Sequence, residues 1–247
     1  MEVFEDFFDS KTIKPSFKYV HLILSLFLFD THSEGLGRYK LEDEMLITSG
    51  MAKSIFKKLK EKGMIELIGP RKGHKLSNYG KTALDNIKKL ISITRGNKEF
   101  SDIALGNSFF LAQVSNMLDK FSNGIAQRDA AVKIKDLVDN LKISIEGRDV
   151  LLKVKDIGAT CLIYDNKQIK FPDPHTILNK EGESYISDRI MKFLEENFKL
   201  ENKDVIIIGG AEADLKGIPD KSIITETEEK IARLATLNSA LSFFNYD

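Results

Sequence analysis

Lys53, Lys57, Lys58, Lys60 and Lys62 crowd one short stretch, and Arg71, Lys72, Lys75 and Lys81 follow closely. These nine basic residues lie within residues 48–81, against only two acids there, Glu61 and Glu66. Cations packed this densely are suited to one task, neutralising a row of phosphates and releasing their counterions. The chain of 247 residues is neutral as a whole, with 37 basic and 37 acidic side chains, so the concentration is local. Residues 1–95 carry 17 basic and 12 acidic groups, a net of +5, and residues 96–247 carry 20 and 25, a net of −5. An asymmetry of this kind points to a half that faces nucleic acid, although two ordinary solvated faces also produce it.

Two other stretches carry groups able to hold a ligand. In "SNGIAQRDAAVK" (122–133), Gln127, Arg128 and Asp129 cluster where a helix is expected to begin. Free backbone amides and a guanidinium there suit an anion, and the plain alternative is an N-capping Asp beside a solvated Arg. In "IIIGGAEAD" (206–214), a buried strand runs into Gly209-Gly210, followed by Glu212 and Asp214. Such a strand end admits a small ligand at a sheet edge, but it lacks the third glycine and the following helix of a dinucleotide fingerprint. Other chemistry is thinly represented. His21, His32, His74 and His175 have no ligand spacing, and Cys161 sits between apolar residues as a buried, inert thiol. No serine-hydrolase, P-loop or zinc motif is present, so neither metal nor cofactor is expected.

The elements that must position these groups can be read from periodicity. "FKYVHLILSLFLF" (17–29) is a largely buried helix, and "RYKLEDEMLI" spaces Tyr39, Leu41, Met45 and Leu46 for one helix face. Thr48 or Ser49 caps a helix over about 49–62, with Ala52, Ile55, Phe56 and Leu59 inward and the lysines outside that stripe. Gly63 ends it. "MIELI" then alternates as a strand whose Ile65 and Leu67 face the core, "GPRKG" turns, "HKLS" returns, and a helix follows over about 79–93. A polar hinge is expected at 94–101. Beyond it, strands at 102–116 and around "KISIEGRDVLLKV", a hairpin at 160–171, helices near 126 and over 181–198, and a closing helix from "TETEE" suggest an α/β domain with a mixed sheet.

The succession "RYKLEDEMLITSGMAKSIFKKLKEKGMIELIGPRKGHKLSNYGK", with "L..KG.I" from Leu59 to Ile65 and "H.LS..G" from His74 to Gly80, resembles the winged helix-turn-helix of transcriptional regulators. The resemblance covers residues 17–93. With "GIAQRDAA", "GATCLIYDNKQIKFP" and "VIIIGGAEAD" it extends to archaeal-type winged-helix proteins with a C-terminal domain of unknown function, which transfers no chemistry. The resemblance implies a second helix in the major groove and a hairpin tip along the backbone. Ser49, Gly50, Lys53, Ser54 and Lys57 are then the candidates for base edges. Arg71, Lys72 and Lys75 are those for phosphates or the minor groove, with Arg38 and Tyr39 touching the backbone.

The expectation is therefore an α+β chain: a winged helix-turn-helix over 1–95 and an α/β effector-binding or dimerisation domain over 96–247. It would be a cytoplasmic regulator, binding double-stranded DNA as a homodimer, with a small-molecule effector at Gln127, Arg128, Asp129, Gly209, Gly210 and Glu212. One cysteine, an acidic start and no apolar run beyond about ten residues fit a soluble protein in a reducing compartment. Two alternatives remain at this point. One is an enzyme with Arg128, Asp129, Glu212 and Asp214 in one pocket; the other is an adaptor whose winged helix binds protein.

Overall fold

The computed structural model describes residues 7–8, 15–69, 71–120, 125–139, 141–145, 148–171 and 186–244. The wing residue Pro70, the 121–124 lead-in to the helix near 126, and the start of the helix expected from 181 lie outside them. The fold class is α+β, and the chain divides into two compact units, Met1–Lys89 and Leu90–Asp247.

The first unit begins with α1 (Tyr19–Thr31), which is buried at every position from Val20 to Phe29. Its run of Leu, Ile and Phe leaves no polar stripe, so it can only be a central helix. His21 lies in its first turn, 2% exposed, and accepts a hydrogen bond at Nδ1 from the Lys18 backbone N–H at 2.9 Å. α2 (Arg38–Met45) and α3 (Ser49–Glu61) follow, joined at Leu46, which takes a left-handed conformation with φ 51°. α3 buries Ala52, Ile55, Phe56 and Leu59, as the spacing predicts. β1 (Ile65–Gly69) and β2 (Gly73–Leu76) pair antiparallel. Ile65 is buried, but Leu67 is 61% exposed, so Leu67 does not pin the hairpin to the core. Ile65 and Leu67 share one side of the strand, but burial stops at Ile65; Leu67 lies farther along the ladder, opposite His74.

α4 (Asn78–Lys88) ends five residues before the expected Ile93, and Ile91–Arg95 is a strand, β3, of the second unit. The hinge expected at 94–101 is thus an edge strand followed by a 3-10 turn, Lys98–Asp102. Ser77 caps α4, accepting from the Gly80 N–H at 3.0 Å while its hydroxyl donates to the Gly63 carbonyl at 2.6 Å. It therefore joins the end of α3 to the start of α4. Ser77→Ala is expected to lower the stability of this unit by about 1–2 kcal/mol in a urea titration, with Ser77→Asp restoring the cap but not the donor.

The second unit is a six-stranded sheet in the order β3, β4, β8, β6, β5, with β7 also on β6. The strands are β4 (Ser108–Val114), β5 (Lys142–Ile145), β6 (Arg148–Asp165), β7 (Gln168–Lys170) and β8 (Asp204–Leu215). Every pairing among the described residues is antiparallel, which corrects the mixed sheet. Alternating strands and helices suggested parallel crossovers, but the strands joined through helices are not neighbours here. β6 is long enough for β5 and β7 to share one of its edges while β8 takes the other. α7 (Lys221–Ser242) and α5 (Ile125–Val138) pack together, with α7 lying along β4 and β8. α7 begins at Lys221 under an Asp220 cap, earlier than the "TETEE" box suggested. A second core joins Phe109, Leu111, Leu162, Ile206 and Ile208 of the sheet to Phe100 and to Ile190 and Leu194 of α6 (Asp188–Asn197). Helices thus cover both faces of the sheet.

Candidate nucleic-acid interface

The geometry of the first unit rests on Phe56. Its ring meets Phe29 of α1 edge-on at 5.5 Å and His74 of β2 edge-on at 5.4 Å, which fixes α3 against both α1 and the hairpin. Just before α2, Leu36 bridges to His74 through two backbone hydrogen bonds of 2.8 and 3.0 Å. This adds a third short strand to the hairpin. Gly35 permits the close approach: its φ is +124°, and a Cβ there would lie 1.9 Å from the Lys72 carbonyl oxygen. The residues between Gly35 and Lys75 therefore form one connected scaffold, with α3 and the hairpin held by buried contacts.

What this scaffold turns outward is cationic. Ser49, Gly50, Lys53, Lys57 and Lys60 are exposed on α3, and Arg71 and Lys72 are exposed at the hairpin. Thr48 caps α3, its hydroxyl oxygen accepting from the Met51 N–H at 3.3 Å, and the Ser49 hydroxyl is left exposed at this helix start. Ser54 is half-buried, and its hydroxyl donates to the Gly50 carbonyl at 3.0 Å. Lys53, Arg71 and Lys72 have no ion pair among the described residues, while Lys57 lies 3.7 Å from Glu61 and Lys75 lies 3.3 Å from Glu66. Those pairs are exposed, so each contributes less than about 1 kcal/mol and does not compete with a phosphate. Arg38 is half-buried with its guanidinium 4.9 Å from the Tyr39 ring centre, and Tyr39 is 75% exposed. The nine DNA candidates therefore lie in one unit, on α2, α3 and the hairpin, with the polar part of Ser54 already engaged.

The six ligand candidates fare differently. Gln127 is buried in the seam between α5 and α7, where its carbonyl accepts from the Ser239 hydroxyl at 2.8 Å. Arg128 and Asp129 are exposed. Gly209 and Gly210 are not in a loop at all, because β8 runs through them to Leu215. A Cβ on Gly209 would stand 2.1 Å from the Thr236 hydroxyl oxygen, and one on Gly210 would stand 1.7 Å from the Leu105 carbonyl oxygen. The space over both glycines is therefore filled by the protein itself, by α7 on one face and by the 103–107 loop on the other. Glu212 alternates onto the Gly210 face and pairs with Lys155 at 3.1 Å. Arg128, Asp129, Glu212 and Asp214 are not brought together, since α5 packs with α7, on the face opposite Glu212. The glycines signalled close approach correctly; only the pairing of β8 shows that protein, not ligand, makes that approach.

Sequence reasoning missed one cleft in this unit, lined by Arg95, Lys98, Asn107, Ser108, Thr225 and Glu229. A second opening adjoins it, sharing Arg95, Thr225 and Glu229 and adding Lys221. Arg95 and Glu229 form an ion pair at its mouth. Beneath it, buried Glu228 accepts from the Ala213 N–H at 3.1 Å and from the Ser108 hydroxyl at 3.4 Å. No local pattern marks these residues, which come from β3, the 3-10 turn at Lys98, the loop at Asn107, β4 and α7. Cys161 is buried, and burial pushes its thiol up to about 12, so it stays protonated. Among the described residues no His, Cys, Asp and Glu group has the arrangement of a metal site, and no helix is long and apolar enough to cross a membrane.

Comparison with known proteins bears on the fold and supplies no chemistry. A family model described as a domain of unknown function (DUF4443) matches residues 131–218, which lie within the second unit. No curated protein matches the chain. A solved structure of a hypothetical protein from Pyrococcus horikoshii OT3 is similar over 92% of this chain and 92% of its own, with a TM-score of 0.56 and 19% identity. At that identity the likeness establishes a shared fold and nothing of activity.

Proposed function

We propose that this chain is a cytoplasmic, DNA-binding transcriptional regulator acting on double-stranded DNA as a homodimer. The observation that carries the reading is the placement of charge on the first unit. α3 buries its apolar stripe, with Phe56 against α1 and the hairpin; Lys53 and Lys57 are exposed outside that stripe, and Arg71 and Lys72 are exposed on the hairpin. A helix with a cationic outer face, followed by a cationic hairpin, matches a major groove and the phosphates flanking it. Two copies are part of the reading because one such unit covers little duplex, and paired half-sites raise affinity. The second unit is assigned the pairing of copies and the holding of a small effector, with the cleft at Arg95 and Glu229 as the place to seek it.

Arg38, Lys53, Lys57, Arg71, Lys72 and Lys75 together predict a slope of about −5 for log affinity against log salt. Lys53→Ala with Lys57→Ala is expected to weaken duplex binding across sequences and to make the slope shallower by about two. Fluorescence anisotropy with a labelled duplex across a salt series checks both. Absence of binding at low salt would overturn the DNA reading. One observation then favours the adaptor reading: Tyr39, Leu67 and Tyr79 are large apolar side chains exposed by 75%, 61% and 51%.

A further inference from the structure

We infer that this interface holds duplex DNA chiefly through its phosphates and discriminates only weakly between base sequences. The inference rests on the DNA-binding reading and deepens it by naming the substrate class, duplex DNA of broad sequence.

The exposed positions at the start of α3 decide the matter. In a helix entering the major groove, the first two turns meet the base edges. Here those turns offer Ser49, Gly50, Lys53 and Ser54. Gly50 has no side chain, and a Cβ there would meet nothing within 4 Å, so the missing side chain leaves an open gap. Ser54 donates its hydroxyl to the Gly50 carbonyl, so it has no proton left for a base acceptor. Ser49 and Lys53 remain, a single hydroxyl and a single amine. Lys53 can donate to guanine O6 and N7, but through a rotatable ammonium, and the Ser49 hydroxyl rotates freely; neither is the planar, fixed pair of groups by which Arg reads guanine or Asn and Gln read adenine in that groove. The outward face of α3 has no Arg, Asn or Gln anywhere along Ser49–Glu61.

The hairpin does not repair the deficit. Arg71 is the one guanidinium there, held with φ 66° beside exposed Lys72. Reaching a minor groove, it would sense groove width and the difference between A·T and G·C pairs, not base order. Against this stand cations suited to phosphates: Arg38, Lys57, Lys72 and Lys75, with Lys53 and Arg71 able to serve there as well. Phosphate contacts set affinity and register but carry no sequence information. Each bidentate base contact supplies roughly a tenfold to hundredfold preference, and an interface without one falls well below the thousandfold and higher ratios of specific regulators.

The test is selection from a pool of duplexes with a randomised centre, using the full chain and its Gly50→Arg variant. The readout is the affinity of the best recovered duplex divided by that of the unselected pool, at one fixed salt concentration. The natural chain should give a ratio below about thirtyfold. Gly50→Arg fills the open position with a bidentate donor and should raise the ratio about tenfold or more, with guanine enriched at one step. A ratio of a thousandfold or more for the natural chain overturns the inference while leaving DNA binding intact. A Gly50→Arg variant that binds with an unchanged ratio also overturns it, because α3 would then not lie on base edges. Failure of the natural chain to retain any duplex at low salt removes the DNA reading itself, and the inference with it.

Discussion

Gly210→Ala is expected to destabilise the second unit by about 3 kcal/mol or more, a large effect for one methyl group. The added carbon would lie 1.7 Å from the Leu105 carbonyl oxygen, 2.9 Å from its carbonyl carbon and 3.2 Å from Phe109 Cδ1. These are mostly backbone atoms, so no side chain can swing aside. The loop carrying Leu105 is tied at several points. Thr160 donates its hydroxyl to the Ile103 carbonyl at 2.8 Å, Ala104 N–H bonds to the Phe100 carbonyl at 2.9 Å, and Asn107 N–H bonds to the Ala211 carbonyl at 3.0 Å. Lifting the loop would break some of these bonds and uncover buried backbone groups. Bending β8 instead would disturb its pairing with both β4 and β6. Chemical denaturation followed by circular dichroism measures the loss. Gly50→Ala is the control, with open space around it and an expected change between zero and about 1 kcal/mol of stabilisation. A Gly210→Ala protein with an unshifted midpoint would mean that the loop does not press on β8.

The second large effect concerns acid. Burial, and after it the nearby charge of Lys18, lowers the His21 pKa to about 4, from an ordinary value of about 6.5. His21 is therefore neutral in the folded protein at pH 7, as its role in accepting the Lys18 N–H requires. Below about pH 6.5 the unfolded chain takes up a proton that the folded chain refuses. Stability contributed by the neutral ring is complete above that pH and is lost as pH falls toward 4. The folded value lies about 2.5 units below the unfolded one, so the loss approaches about 3 kcal/mol. His74 shifts in the same direction, first through burial and then through the charge of Lys60, and steepens the decline. His21→Asn, with an amide oxygen near the place of Nδ1, isolates the effect. Between pH 7 and pH 4 the stability gap between natural chain and variant should close by about 3 kcal/mol. Parallel stability curves for the two proteins over that range would show that His21 is not buried as a neutral base.

Much of the first unit is determined by the sequence alone, because its signals are local. The inward stripe of α3, the Thr48 and Ser77 caps and the switch from helical to alternating period at Met64 each act within a few residues. The cationic surface is equally legible, since charge that does not fit the apolar stripe must face outward. Leu67 escaped this reading because a two-residue alternation shows which residues share a face, as Ile65 and Leu67 do, but not how far along the strand the core reaches. The second unit depends on contacts between residues far apart in the chain, and there the tertiary structure decides. Only the placement of β8 between β4 and β6 makes the sheet antiparallel. Only Thr236 and Leu105, close in space to Gly209 and Gly210 and distant in sequence, turn those glycines from a ligand loop into a packing surface. The cleft has the same origin: Arg95 of β3, Ser108 of β4 and Glu229 of α7 meet there, and their meeting leaves no mark in any local pattern. Periodicity and capping report on neighbours a few residues away, and a site assembled across a sheet comes into being only when the strands find their order.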